Sequence, residues 1–271
     1  MTPSPAAPRT DPAAPRTDST APPTDPTAPS AERAKTAPAP TWPSAREALL
    51  AALIVSAAVA LVSRFAPKSF AATGVGLVFL FATWFLTIRK DDTDAGAWGL
   101  SLGGLLDRDR IAPNKLLRDT AVALAWAAAF ALIVFPPFYF GYRFFWHPRH
   151  PFAFKLPGSL ADELAGQLFV IALPEEAFYR GYLQTALDNA LRPKVRILGA
   201  ELGVGYLLAA AIFAVGHVLT APSPARLAVF FPALLFGYLR SRTRGIGAGV
   251  VFHAACNLYS ATLARGFGLP T

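Results

Sequence analysis

Six polar side chains in this sequence occur where the surrounding residues are almost wholly apolar. Glu175, Glu176 and Arg180 follow the run Leu168-Phe-Val-Ile-Ala-Leu-Pro174. His217 closes Ile212-Phe213-Ala-Val-Gly216-His217, and His253 and Asn257 belong to Phe252-His253-Ala-Ala-Cys256-Asn257. An ionisable group placed deep in hydrocarbon costs roughly 2.5–3.5 kcal/mol on insertion scales, so such residues are functional candidates by default. On a helix Glu176 and Arg180 stand at i, i+4 and can pair, while Glu175 points about 100° away and can face another partner. One carboxylate is then held ionised by the arginine and the other is free to move protons, a common way to build acid/base chemistry from two neighbouring carboxyls. His253 and Asn257 share a helix face, and two donors side by side suit a developing oxyanion. Phe213 and His217 share a face as well, and Gly216 admits a neighbouring helix.

The elements that must position these residues are apolar segments at approximately 46–63, 70–88, 119–140, 160–190, 201–219, 226–240 and 246–264. Most approach the roughly 20 residues that span a bilayer core. The fold class expected is therefore all-α, a polytopic transmembrane helical bundle of about seven spans. Ser44 is a candidate cap for the first segment, with Arg46 and Glu47 at its mouth. The sixth segment is the weakest, because Pro232 interrupts it and Pro222 and Pro224 crowd its start. Pro174 should loosen the backbone just before the two carboxylates, which is tolerated where helices line a cavity. Trp98, in the polar stretch between the second and third segments, is expected at the interface, and Tyr139 to Trp146 reads as an aromatic belt. His147 and His150 beside that belt are expected to be exposed loop residues. Arg244-Gly-Ile-Gly-Ala-Gly249 looks superficially like a phosphate loop, but no strand precedes it, so small residues for tight helix packing are the better reading.

Composition supports a membrane solvent. Hydrophobic residues make up 54% of the chain and charged residues 15%, with a mean hydropathy of +0.39. A soluble domain of this length needs more charge to cover its surface. The net charge of +8 does not imply nucleic acid, because the basic residues gather in short segments between apolar runs and no nucleic-acid-binding motif accompanies them. Thirteen Lys and Arg flank the segments on the N-terminal side and seven on the other, so the N-terminus is expected inside and the C-terminus outside. Cys256 is the single cysteine, which excludes an intrachain disulfide and a Cys-based zinc site; it reads as a buried small residue. Residues 1–44 hold 12 of the 25 prolines and repeat Pro5 to Asp11 as Pro12 to Asp18. They are expected to form a disordered tail without the apolar stretch of a signal peptide, leaving 45–271 as the membrane domain.

Glu175-Glu176-x-x-x-Arg180, Phe213-x-x-x-His217 and His253-x-x-x-Asn257 occur in the order and approximate spacing of the three motifs of the CPBP family. That family includes the type II CAAX prenyl endopeptidases and bacterial Abi-type membrane proteins, and the resemblance covers about residues 90–264. It implies a glutamic intramembrane endopeptidase without cofactor or metal. Glu175 and His217 would activate water, Glu176 and Arg180 would orient Glu175, and His253 and Asn257 would bind the oxyanion. The partners implied are the lipid bilayer and a membrane-associated protein or peptide substrate. The Ala- and Arg-rich composition suggests a GC-rich bacterial source, hence the inner (cytoplasmic) membrane, and a myxosortase-like subgroup is an option. Two alternatives stay open: a zinc protease using Glu175, His217 and His253, and a transporter or scaffold whose buried charges form an ion path. Against the first stand the missing His-Glu-x-x-His and the nearby arginine. Against the second stands the lack of an inverted repeat or paired broken helices.

Overall fold

A computed structural model describes residues 42–89, 94–107, 110–192 and 194–269. Apart from Trp42 to Ser44, the expected tail lies outside the described residues, as do Lys90 to Asp92. Helix α1 (Ala45–Phe65) begins at a capping box in which the Ser44 hydroxyl accepts from the Glu47 amide and the Glu47 carboxylate accepts from the Ser44 amide at 2.7 Å. Its buried stripe is Ala48, Ala52, Val55, Ser56 and Val59, whereas Leu53, Ile54 and Leu61 point outward. Small residues inside and large ones outside invert the pattern of a soluble helix. In lipid the tails are as apolar as leucine, so helices associate through close backbone packing. The same inversion recurs in α3, where Ala123 and Ala127 are buried but Leu132 is 78% exposed. Phe65 and Phe144 are 78% and 80% exposed, an outer surface that water would not tolerate but a bilayer solvates.

Helix α2 (Lys68–Thr83) continues through a π-helical turn, Trp84–Ile88, and packs antiparallel to α1. Helix α3 (Pro113–Trp146) is longer than the 119–140 expected. Its 34 residues extend about 51 Å at 1.5 Å per residue, beyond a hydrocarbon core of roughly 30 Å. The aromatic run Tyr139 to Trp146 is therefore the helix's last two turns, and His147 ends it in the left-handed conformation at φ 44°. The fourth segment is one continuous rod, α4, assembled from Leu160–Ala165, Gly166–Ala172, Leu173–Glu176, Ala177–Gln184 and Thr185–Ala190. Two of those pieces, Gly166–Ala172 and Ala177–Gln184, are π-helical and bracket Glu175 and Glu176. Wide turns of this kind are frequent at functional sites, and Pro174, which cannot donate to the ladder, lies between them.

Two short antiparallel strands, β1 (Lys194–Ile197) and β2 (Ala200–Gly203), follow. They take the first residues of the segment expected to be helical from 201, so helix α5 is Val204–Thr220. Helix α6 (Phe230–Thr243) is entered through a 3-10 turn, Pro224–Val229. Pro232 does not interrupt it, contrary to expectation: it sits in the first turn, where a backbone N–H would have no helical partner anyway. Helix α7 (Gly247–Phe267) packs chiefly on α3 and also on α6. The described chain is thus an all-α bundle of seven helical rods with one small hairpin. Three of the helices, Ala45–Phe65, Lys68–Ile88 and Pro113–Trp146, are individually long and apolar enough to cross a membrane.

Candidate active site

The centre of the bundle holds an ionic cluster built from α4 and α7. Glu176 and Arg180, one turn apart, are 0% and 1% exposed and form an ion pair at 3.1 Å. A second guanidinium nitrogen of Arg180 donates to the Ala233 carbonyl at 3.1 Å, and its carbon lies 4.5 Å from the Phe213 ring centre and 5.2 Å from that of Phe236. The arginine is thereby held on three sides, and its charge is opposed by a carboxylate and two ring faces. Glu176 accepts from His253 Nδ1 at 2.9 Å. The His253 ring is stacked on Phe236, with centroids 4.6 Å apart and planes 12° apart. Its remaining nitrogen, Nε2, faces Glu175 Oε2 at 3.8 Å. A carboxylate only accepts, so Nδ1 of His253 carries hydrogen, and donation from Nε2 requires the doubly protonated ring. This cluster is possible because Gly249 on α7 leaves room. A Cβ there would stand 3.1 Å from Glu176 Oε2.

Glu175 is turned from Glu176 by the 100° step of the helix, so that it faces His253 Nε2 and the space beside it. It lines a cavity of about 390 Å³ together with His217, Tyr179, Val170 and Ile171. His217 Nδ1 lies 3.0 Å from the Phe213 carbonyl one turn back in α5. A carbonyl cannot donate, so Nδ1 carries hydrogen, and in the neutral ring Nε2 keeps its lone pair. Phe213 packs on the His217 ring at 4.4 Å and edge-on to Tyr179 at 4.9 Å. Gly216 permits this approach of α5 to α4, since a Cβ there would meet the Tyr179 hydroxyl at 2.9 Å. Asn257 lies one turn beyond His253 on α7, and its amide donates to Gln167 Oε1 at 2.9 Å. One of its two amide hydrogens remains for another acceptor.

The structure brings Glu175, Glu176, Arg180, His217 and His253 into one connected region, with Asn257 at its edge tied to Gln167. Sequence reading passed over Gln167 and Tyr179, and took Gly249 only as one of a run of small residues for tight helix packing. Gln167 carried a usable signal, a lone amide in an apolar run two turns before Glu175, whereas nothing in the sequence says what Tyr179 and Gly249 touch. Trp98 is buried within the protein: it meets Trp42 edge-on at 4.8 Å and stacks on Tyr182 at 5.6 Å. His147 and His150 are exposed in a loop, as expected. Cys256 is half-buried and unbridged. Among the described residues, no group of three or more His, Cys, Asp and Glu side chains is disposed to hold a metal ion.

Residues 157–259 match the family described as type II CAAX prenyl endopeptidase Rce1-like, a stretch that contains all six polar residues singled out above. No curated protein and no solved structure matches the chain.

Proposed function

We propose that this integral membrane protein, whose residues 157–259 match the type II CAAX prenyl endopeptidase Rce1-like family, a family of proteases, is a glutamic intramembrane endopeptidase. It hydrolyses a peptide bond near the membrane in a protein or peptide substrate, in a bacterial inner membrane with its N-terminus in the cytoplasm. The observation that carries the reading is that Glu175 and His217, from different helices, line one cavity, and that the bond from His217 Nδ1 to the Phe213 carbonyl leaves Nε2, in the neutral ring, as the nitrogen that can accept there.

In this mechanism a water bound between the Glu175 carboxylate and His217 Nε2 hydrogen-bonds to both. Glu175 takes one proton as the water oxygen bonds to the scissile carbonyl carbon, and returns it to the amine nitrogen as the C–N bond breaks. The carbonyl oxygen, negative in the tetrahedral intermediate, is met by Nε2–H of the doubly protonated His253 ring and by the free amide hydrogen of Asn257. Glu176 holds the His253 ring in place, and Arg180 supplies the counter-charge to Glu176. Closing these groups inside a low-dielectric bundle strengthens each of their interactions with the developing charge.

The test compares native membranes carrying the wild-type chain or Glu175→Gln, with new peptide termini read by mass spectrometry. Termini present with wild type should vanish with Glu175→Gln and with His217→Ala, and the double variant should be no worse than either alone, because residues acting as one unit are non-additive. Chelation should leave the wild-type termini unchanged. Their persistence in Glu175→Gln would refute the mechanism, and loss on chelation with recovery on adding zinc would replace it by metal-assisted hydrolysis.

A further inference from the structure

We infer that the cavity holding Glu175 and His217 opens on the extracytoplasmic face of the membrane, so that the scissile bond reaches the site from that side. The inference rests on the proposed protease reading and adds the side from which substrate arrives. The lining residues of each helix decide the direction. On α1 they are Ser56, Val59 and Ser63, all in its second half, and on α5 they begin only at Gly216 and run to Thr220 and Ala221. Ala71 and Ala72 near the start of α2, and Arg226 in the turn after α5, complete the mouth. The start of α1 and the start of α5 contribute nothing. The cavity therefore runs from Glu175 toward the bundle end that carries Ser63 and Arg226, away from the end where α1 begins.

The opposite direction is closed by aromatic rings. Phe79 and Tyr179 line the cavity, Phe79 packs on Phe178 at 5.5 Å, and Phe178 stacks on Tyr182 at 5.8 Å. Tyr182 stacks on Trp98, which meets Trp42 just before α1. Six rings thus form a continuous plug between the two carboxylates and the end of the bundle nearer the N-terminus. A separate concavity of about 560 Å³ lies at that end, lined by Asp188, Lys194, Glu201, Arg240 and Arg242, and no residue lines both.

Charge then assigns the two ends to sides. Among the described residues the closed end carries Arg46, Arg89, Arg110, Lys115, Arg118, Arg192, Lys194, Arg196, Arg240, Arg242 and Arg244, whereas the open end carries Arg64, Lys68, Arg143, Arg149, Lys155, Arg226 and Arg265. An excess of Lys and Arg marks the cytoplasmic side, which leaves the mouth outside. Between mouth and carboxylate the walls are Ala71, Ala72, Val75, Gly76, Val170 and Ile171. A cavity near the lower end of the roughly 300–1,000 Å³ that encloses small ligands has room for a short extended segment, not for a folded domain. The substrate class is accordingly a membrane-anchored chain whose extended, small or aliphatic segment lies just outside the bilayer.

The experiment uses the full chain with Cys256→Ala, carrying either Ser63→Cys at the mouth or Glu201→Cys at the closed end. Intact and permeabilised cells are treated with a maleimide that does not cross membranes. Ser63→Cys should label in intact cells at least tenfold more than Glu201→Cys, which should reach the same level only after permeabilisation. In native membranes, the wild-type-dependent termini should map to the extracytoplasmic ends of their parent spans. Labelling of Ser63→Cys only after permeabilisation, or termini on the cytoplasmic side, overturns the inference. Labelling needs no activity, so it decides the direction of opening even if Glu175→Gln leaves every terminus in place, the result that removes the protease reading alone.

Discussion

Replacing Arg180 by alanine should destabilise the bundle by about 3 kcal/mol. The guanidinium is the permanently charged partner of Glu176, at 3.1 Å, and neither side chain meets solvent. Breaking a buried pair by removing one partner costs about 3–5 kcal/mol, because an uncompensated charge is left behind. Two further contacts go with the arginine: the donation to Ala233 and the position over the Phe213 ring, the latter worth about 0.5–2 kcal/mol. What remains is the bond from His253 Nδ1 to Glu176 Oε1, which keeps part of the compensation and holds the total near the lower end. Glu176→Gln/Arg180→Met removes both charges while conserving volume, so it should recover at least about 1.5 kcal/mol relative to Arg180→Ala, since neutral replacement of a buried pair is often near neutral. The assay is equilibrium unfolding of the purified protein in mild micelles with increasing SDS, followed by tryptophan fluorescence. An Arg180→Ala protein within about 1 kcal/mol of wild type, or a double variant no more stable than the single, would show that the pair does not carry the cluster.

Two further substitutions probe the support of the same region, each read as the yield of the wild-type-dependent termini at equal protein level. Gln167→Ala should lower cleavage about tenfold by freeing the Asn257 amide, and Asn257→Ala should lower it on the order of 100-fold through loss of an oxyanion donor; combining them should be no worse than Asn257→Ala alone. Gly249→Ala gains helix propensity of roughly 1 kcal/mol but sets a Cβ 3.1 Å from a carboxylate that Arg180 and His253 hold in place. Melting temperature should therefore change little while cleavage falls at least tenfold, and unchanged cleavage would mean that Glu176 is free to move.

Much of this protein was legible as sequence because the bilayer is an unforgiving solvent. A backbone in hydrocarbon must satisfy its own hydrogen bonds, so long apolar runs can only be helices, and the cost of buried charge makes Glu175, Glu176, Arg180, His217, His253 and Asn257 conspicuous. The i, i+4 pairing of Glu176 with Arg180 followed from helical geometry alone, and the family match covers all six residues. Tertiary structure decided what periodicity cannot encode. It bound His253 to Glu176, tied Asn257 to Gln167, and put Trp98 in an aromatic stack with Tyr182. It also converted 201–203 from helix to strand, because pairing with 194–196 supplies hydrogen bonds outside the helix. Each of these depends on residues far apart in the chain, where the fit of a glycine or the direction of a ring is settled by the neighbouring helix. Residue type and local spacing determine which groups can react; the packing of α4 against α5 and α7 determines which of them meet.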